Sequence, residues 1–143
     1  MFRGERYEML RLILIFCLLI QSSYLVFAEG ADLTGTWESK YQFGPVEEVM
    51  TANIQQVGGN LLGSFSVQPS SGDKYSGIIF GTVEGDKIKA NYLTVKANGE
   101  KDPQVAITFA DCHTVDQNTL EGTYYVQDSD MNAISGPFKA TRM

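Results

Sequence analysis

Hydrophobic and polar residues alternate along most of the chain after residue 30, and a helical period is almost absent there. In the first such stretch Trp37, Tyr41 and Phe43 share one face with Ser39, whereas the residues of the other face, at positions 36, 38, 40 and 42, are polar. A period of two places successive side chains on opposite faces of a β-strand, one towards a core and the other towards water. The pattern therefore predicts an all-β domain.

Eight alternating segments of this kind follow one another. The predicted inward residues of the seven later segments are, in order, Ala52 and Ile54; Leu61, Gly63, Phe65 and Val67; Gly77, Ile79, Gly81 and Val83; Ile88, Ala90 and Tyr92; Val105, Ile107 and Phe109; Leu120, Gly122, Tyr124 and Val126; and Phe138 and Ala140. The segment that contains Gly77 is apolar on both faces, because Ile78 and Phe80 lie between its inward positions.

The connections between these segments are short. Four of them carry the residues typical of hairpin turns, namely Gly58-Gly59-Asn60, Glu84-Gly85-Asp86, Asn98-Gly99 and Asp116-Gln117-Asn118. Strands joined in sequence by hairpins form a meander, and closing the meander removes its two unpaired edges. We therefore predict an eight-stranded antiparallel up-and-down barrel, with the longer connections at 68–74, 96–103 and 128–135 at one end.

A five-residue pattern of aliphatic, any, Gly, any, aromatic occurs four times, at 33–37, 61–65, 120–124 and 134–138. Its three defined positions are two residues apart, so they share the inward face of a strand. The glycine lets the strand coil sharply and the aromatic covers the gap. This interpretation gives a structural role to Gly35, Gly63, Gly122 and Gly136. The alternative is a recurring ligand contact, since inward glycines beside aromatics also line cavities.

The N-terminal region departs from the strand pattern. An apolar run at residues 10–20 follows arginines at positions 3, 6 and 11, and the sequence Val-Phe-Ala that ends at Ala28 offers a small-residue cleavage site. These features predict a secretory signal helix that is cleaved after Ala28. A start at Met1 and a start at Met9 are both compatible with it.

The predicted domains are a signal peptide over residues 1–28 and a single barrel domain over 29–143, which is long enough for one core and too short for two. The protein is then expected to be exported, whether secreted, periplasmic or at the cell surface. The alternative is an uncleaved membrane anchor, because residues 10–28 approach the roughly 20 apolar residues that span a bilayer.

Charge and cysteine content narrow the choice of partners. Without the signal segment, which removes three arginines and two glutamates from 11 basic and 17 acidic residues, 8 basic and 15 acidic residues remain, a net charge of −7. Such a surface repels nucleic acid and anionic lipid, so we expect neither nucleic acid nor a membrane as partner beyond the signal segment. Cys112 is the one cysteine left, so no intramolecular disulfide forms, and we expect this thiol to be buried.

The opening strand resembles known families. Leu33-Thr34-Gly35-Thr36-Trp37 at the start of a meander is similar to the first strand of the avidin and streptavidin group, and Gly35-x-Trp37 matches the short lipocalin signature. The resemblance implies a calycin-type ligand-binding barrel. It does not extend to biotin, since the avidin pattern requires Asn and a small hydroxyl residue where this chain has Ser39 and Phe43. The lipocalin pattern implies that a basic residue, here Arg142, packs on Trp37, for about 0.5 to 2 kcal/mol.

Catalytic and metal-binding patterns are incomplete. His113 is the only histidine, and although Asp111 shares its strand face, no nucleophile can be assigned to complete a triad. Asp128, Asp130 and Asn132 alternate like the first ligands of a calcium loop, but Ala and Lys occupy its glycine and glutamate positions. We expect no metal, no cofactor and no catalytic residue. A barrel enzyme with tyrosines as proton donors stays open as an alternative.

The favoured function is binding of a small apolar ligand in the barrel lumen. Inward side chains that add polar tips to an apolar lining are typical of such sites. The candidate lumen residues are Trp37, Ser39, Tyr41, Phe65, Tyr92 and Tyr124. The alternative is a protein that binds a protein partner through its loops, such as a secreted protease inhibitor.

Overall fold

The computed structural model describes residues 30–96, 104–127 and 133–143. The strands are β1 Gly35–Phe43, β2 Val46–Val57, β3 Asn60–Pro69, β4 Tyr75–Glu84, β5 Lys87–Lys96, β6 Gln104–Asp116, β7 Thr119–Gln127 and β8 Ala133–Arg142. Each strand pairs antiparallel with the next, and β8 returns to pair with β1. The predicted all-β, eight-stranded, closed up-and-down barrel is confirmed. The predicted signal segment at 1–28 lies outside the described residues.

The meander gives the barrel two different ends. The turns β2–β3, β4–β5 and β6–β7, at residues 58–59, 85–86 and 117–118, lie at one end, which we call the closed end. The β1–β2 turn and the connections β3–β4, β5–β6 and β7–β8 belong to the other, the open end. The described strand ends that flank the three longer connections therefore lie at one end, as predicted from the order of the strands. Residues 97–103 and 128–132 themselves lie outside the described residues. The proposed turn at Asn98-Gly99 lies outside the described residues.

Inward residues of the strands form one continuous core. Its most deeply buried members are Leu33, Trp37, Ala52, Leu61, Val67, Ile79 and Ile88. Leu33 precedes β1, and the backbone N–H of Leu33 donates to Gln56 Oε1 of β2 at 3.0 Å. The indole Nε1 of Trp37 donates to the backbone oxygen of Leu33 at 2.9 Å. These two bonds hold the segment before β1 across the closed end.

The predicted phase of β6 is wrong by one residue. Val105, Ile107 and Phe109 point outwards, and Phe109 is 57% exposed, whereas Ala110 and Cys112 are buried. The alternation itself is present, but in this strand the smaller residues face the lumen and the larger ones face solvent. The lumen of an eight-stranded barrel has little room, and large side chains from the other strands already occupy it.

Inward glycines lie where neighbouring backbones crowd together. A Cβ at Gly63 would lie 2.2 Å from the backbone oxygen of Asn53, and one at Gly122 would lie 2.4 Å from that of Asp111. No side chain fits at either place without moving the backbone. This crowding supports the interpretation of the repeat as a device for coiling the sheet.

The aromatic that covers an inward glycine comes from the adjacent strand. Tyr124 pairs with Gly136 across β7 and β8, and its Oη would lie 2.8 Å from a Cβ there. Phe65 pairs with Gly77 across β3 and β4 and stands equally close to it. The repeat predicts an aromatic that covers the glycine of its own strand. In these two cases the contact instead joins two adjacent strands and so links their packing.

Candidate functional site

The closed end is sealed by a cation stacked on the only tryptophan. The Cζ atom of Arg142 lies 4.5 Å from the ring centroid of Trp37. Its guanidinium also donates to the backbone oxygens of Thr34 and, at 2.7 Å, Asp32. Gly35 has a φ of 147°, and a Cβ there would lie 2.8 Å from Arg142 Nη1, so a side chain would disturb the stack. The structure thus places Arg142 where the lipocalin resemblance implied.

Of the six candidate lumen residues, Trp37 and Ser39 border only this filled part of the barrel, and Tyr92 borders both this part and the cavity at the open end. Trp37 and Ser39 border a space of only about 20 Å³, which holds one water molecule at most. Ser39 Oγ donates to the backbone oxygen of Lys139 at 2.7 Å, so its hydroxyl already has a partner. Neither residue lines the cavity at the open end.

The open end contains a cavity of about 60 Å³. It brings together the other four candidates, Tyr41, Phe65, Tyr92 and Tyr124. The rest of its lining is Phe43, Glu48, Met50, Val67, Tyr75, Thr94, Thr108, Ala110, Val126 and Phe138. The two ends of the lumen therefore differ in polarity as well as in space.

Aromatic rings form two groups around this cavity. The Tyr41 and Tyr124 ring centroids are 5.6 Å apart, and Phe43 lies 6.3 Å from Tyr124. Phe65 and Tyr92 meet edge to face at 5.4 Å. Tyr124 Oη donates to the backbone oxygen of Gln42 at 2.6 Å, which fixes the direction of that ring. Offset and edge-to-face contacts of this kind are the preferred aromatic arrangements.

A buried carboxylate is the most unusual feature of the lining. The side chain of Glu48 is on the inward face of β2, and the residue is only 5% exposed. Tyr75 Oη donates to Glu48 Oε2 at 2.9 Å. Burial above all, and then the nearby Glu48, raises the pKa of Tyr75. Burial, followed by the proximity of Tyr75 and Glu48, likewise raises the pKa of Tyr41. Both phenols therefore stay protonated at neutral pH and remain hydrogen-bond donors.

No basic side chain neutralises Glu48 within the described residues. The ion pairs found there are Lys40–Glu38 and Lys139–Glu121, and both are largely exposed. A buried carboxylate that lacks a positive partner favours the approach of a cation or a strong hydrogen-bond donor. The open end can thus offer one acceptor group within an aromatic wall.

Glu48 and Tyr75 were not among the residues selected from the sequence, although the signal for them is present. Counting back by two from Ala52 leads through Met50 to Glu48. Counting back by two from Gly77 leads to Tyr75. Both positions continue an inward phase that was assigned correctly, but only from the apolar residues further along each strand.

The structure gives no support for cysteine or metal chemistry in the described part of the chain. Cys112 is buried, as predicted, and burial, with a smaller effect of Asp111, raises the pKa of its thiol to about 12. His113 is exposed on the opposite face of β6. Residues 30–96, 104–127 and 133–143 contain no group of three or more acidic, histidine or cysteine side chains placed to hold a metal ion. The proposed calcium ligands Asp128, Asp130 and Asn132 lie outside these ranges.

The same ranges contain no helix of the length and apolar character needed to cross a membrane. The sequence matches no family model and no curated protein. The resemblance to avidins and lipocalins therefore supports no family assignment, and what is established is an eight-stranded, all-antiparallel, closed meander barrel.

Proposed function

We propose that this barrel binds a small, largely apolar ligand that enters the lumen from the open end. The observation that carries the proposal is the lining of the open-end cavity, which combines aromatic and aliphatic walls with a few convergent polar groups. Ligand sites in proteins have this composition, and the mouths of β-barrels are a common place for them.

The size of the cavity limits the ligand. Its volume of about 60 Å³ is far below the roughly 300 to 1,000 Å³ of sites for drug-sized molecules. A molecule of a few heavy atoms fits without rearrangement. A longer ligand places only one end inside and leaves the rest near the half-buried rings of Tyr41 and Phe43 at the mouth.

The polarity of the cavity favours a ligand with a positively charged or donating end. Glu48 supplies an acceptor and a negative charge, and the faces of the tyrosine rings attract cations. We therefore favour a small amine with an apolar body over a purely apolar molecule. A fatty acid is disfavoured because its carboxylate would meet Glu48.

The test is a binding panel measured by calorimetry on the wild type and on Glu48→Gln. The panel contains small alkyl and aryl amines, their neutral isosteres, fatty acids, quinones and porphyrins. Saturable binding of an amine that weakens at least tenfold in Glu48→Gln is expected. Equal binding of amine and isostere would retain the lumen site but reject the preference for a cation. No binding by any compound would reject the lumen site.

The alternative function is a loop-mediated interaction, for instance as a secreted protease inhibitor. The small volume of the cavity favours it, since a nearly filled barrel also serves as a rigid support for loops. A deletion of the segment before β1 cannot distinguish a protease inhibitor from a lumen binder. Leu33 belongs to the core, so the deletion also affects the packing of the barrel. Native mass spectrometry of the protein from its own host does separate them, because it detects either a retained small molecule or a retained protein.

Export also forms part of the proposal. The mature protein is expected to begin at Glu29 and to be found outside the cytoplasmic membrane. Mass spectrometry of N-terminal peptides from the exported fraction tests this. Peptides that begin before Arg11 would favour an uncleaved anchor instead.

A further inference from the structure

A row of mostly apolar side chains crosses the outer surface of five consecutive strands. Leu62, Phe80, Asn91, Phe109 and Tyr125 are neighbours in register on β3, β4, β5, β6 and β7. All except Asn91 are exposed by two-fifths or more. The row borders an external groove of about 930 Å³.

A second group of apolar side chains adjoins this row on the side towards the open end. Ile78, Leu93 and Ile107 are neighbours in register on β4, β5 and β6, and beyond them Val95 pairs with Val105. We call the two groups together the outer patch. The outer faces of β1, β2 and β8 are different, since they carry mainly charged and polar residues.

The outer patch is large enough to form a stable interface. Eight of its side chains, three of them aromatic, are between 41% and 61% exposed. Since a fully exposed aromatic side chain offers about 150 to 250 Å², the patch presents roughly 600 to 800 Å². Monomeric proteins seldom expose a contiguous apolar area of this size. A specific protein interface typically buries about 800 Å² on each partner.

The charges at the edge of the outer patch fit a second copy of the chain as the occupant. The domain is acidic, so a second acidic copy is repelled wherever two charged faces meet. The outer patch carries no charged residue, and the two charged residues at its closed-end edge are opposite in sign. These are Lys89 and Asp111, which are neighbours in register on β5 and β6. Two copies that meet at this patch avoid the repulsion between their acidic faces.

We propose that the outer patch is the interface of a homodimer. Its two-fold axis runs parallel to the strands, between β5 and β6, so that β5 of one copy lies over β6 of the other. Lys89 then faces Asp111 of the second copy, and the pairs Leu93 with Ile107 and Val95 with Val105 meet in the same way. Each contact occurs twice, as an interface between identical surfaces requires.

The test is sedimentation velocity of the full chain, with the fold of each variant checked by circular dichroism. The wild type is expected to sediment as a dimer at roughly 100 µM, where a micromolar interface is nearly saturated. Phe109→Asp is expected to be monomeric. Asn53→Asp, on the exposed outer face of β2, is the matched control and should remain a dimer. If Phe109→Asp fails to fold, Val95→Ser, which removes less apolar area, replaces it and should weaken the dimer.

The charge pair tests the proposed axis. Lys89→Glu should raise the dimer Kd about tenfold, and adding Asp111→Lys should restore it. A monomeric wild type at the same concentration would overturn the proposal, as would a dimer that is indifferent to Phe109→Asp. Flotation of a monomeric wild type with phosphatidylcholine vesicles would reassign the outer patch to lipid. Because these readouts do not use the lumen, they are independent of ligand binding.

Discussion

The two ends of the lumen are built from the same eight strands but are filled in different ways. At the closed end Leu33 and Trp37 are almost fully buried, and the Trp37 indole has a backbone partner. At the open end rings surround a cavity that holds a buried carboxylate, Glu48. The difference supports a division of labour, in which close packing at one end stabilises the barrel and, in the function proposed above, a polar group at the other end meets the ligand.

The strongest test of this division is to remove a large side chain at each end. Trp37→Ala should lower the free energy of unfolding by about 3 to 5 kcal/mol, because it opens a cavity and also removes the support of Leu33 and Arg142. Phe43→Ala, at the half-buried open rim, should cost less than half as much. Urea denaturation measures both losses, and a larger loss for Phe43→Ala would reverse the assignment of the two ends.

The glycines of the repeat should behave as part of the framework. Gly122→Ala should cost about 1 to 3 kcal/mol, because the added Cβ would lie 2.4 Å from Cys112 Cβ. Gly59→Ala is the matched control, since the nearest atom to its Cβ would be the Val83 backbone oxygen at 3.4 Å. Gly99, which belongs to the turn predicted at Asn98-Gly99, lies outside the described residues. Similar losses at Gly122 and Gly59 in thermal denaturation would contradict the structural role of the repeat.

Alkaline pH should loosen the lumen through its tyrosines. Burial, with a smaller effect of Cys112, raises the pKa of Tyr92 above the ordinary value of 10.0. The folded protein therefore keeps this proton to higher pH than the unfolded chain does. Its stabilising effect is complete below pH 10 and is lost as the pH rises above it, by up to about 1.4 kcal/mol per pH unit.

Tyr92→Phe keeps the ring and removes the ionisable hydroxyl. Its free energy of unfolding, followed by urea denaturation from pH 9 to 11, should fall less steeply than that of the wild type. Tyr125→Phe, on the exposed outer face of β7, provides the control and should follow the wild-type curve. Parallel curves for all three proteins would show that Tyr92 does not resist ionisation in the folded state.

The smallest effect on stability is expected from Glu48, the residue that the proposed function places against the ligand. Glu48→Gln keeps the size of the side chain and an oxygen that can accept from Tyr75, so the free energy of unfolding should change by less than about 1 kcal/mol. Thermal denaturation at pH 7 measures the change. A loss of several kcal/mol would mean that Glu48 is needed for the framework, and the functional distinction between the ends would fail.

Much of the fold can be predicted from alternation, because inward and outward positions differ clearly in β1, β2, β3, β5 and β7. The phase of β6 could not be predicted in this way, since Val105, Ile107 and Phe109 are larger than the residues that face the lumen. Their outward position follows from limited space inside the barrel. Part of the outer patch can be predicted from the sequence, because Ile78 and Phe80 lie between the inward positions of β4. The part contributed by β6 cannot, since alternation alone turns its large residues inwards.

The candidate site was predicted only in part. Tyr41, Phe65, Tyr92 and Tyr124 line the open-end cavity, whereas Trp37 and Ser39 lie near the closed end. Alternation assigns a face but not a height along the strand, so it cannot separate the two ends. Glu48 could not be predicted from apolar residues for another reason, namely that a charged residue on the inward face interrupts the apolar pattern by which that face is recognised.

The most direct test of the division between the two ends is methyl NMR during titration with a small aryl amine. Val67 and Val126 line the open-end cavity, whereas Ile79 and Ile88 belong to the closed-end core. Saturable shifts of the Val67 and Val126 methyl signals are expected, with the Ile79 and Ile88 signals nearly unchanged, and the shifts should weaken in Glu48→Gln. Shifts confined to Ile79 and Ile88, or no shift at any of the four residues at saturating amine, would contradict the assignment of the open end as the binding site.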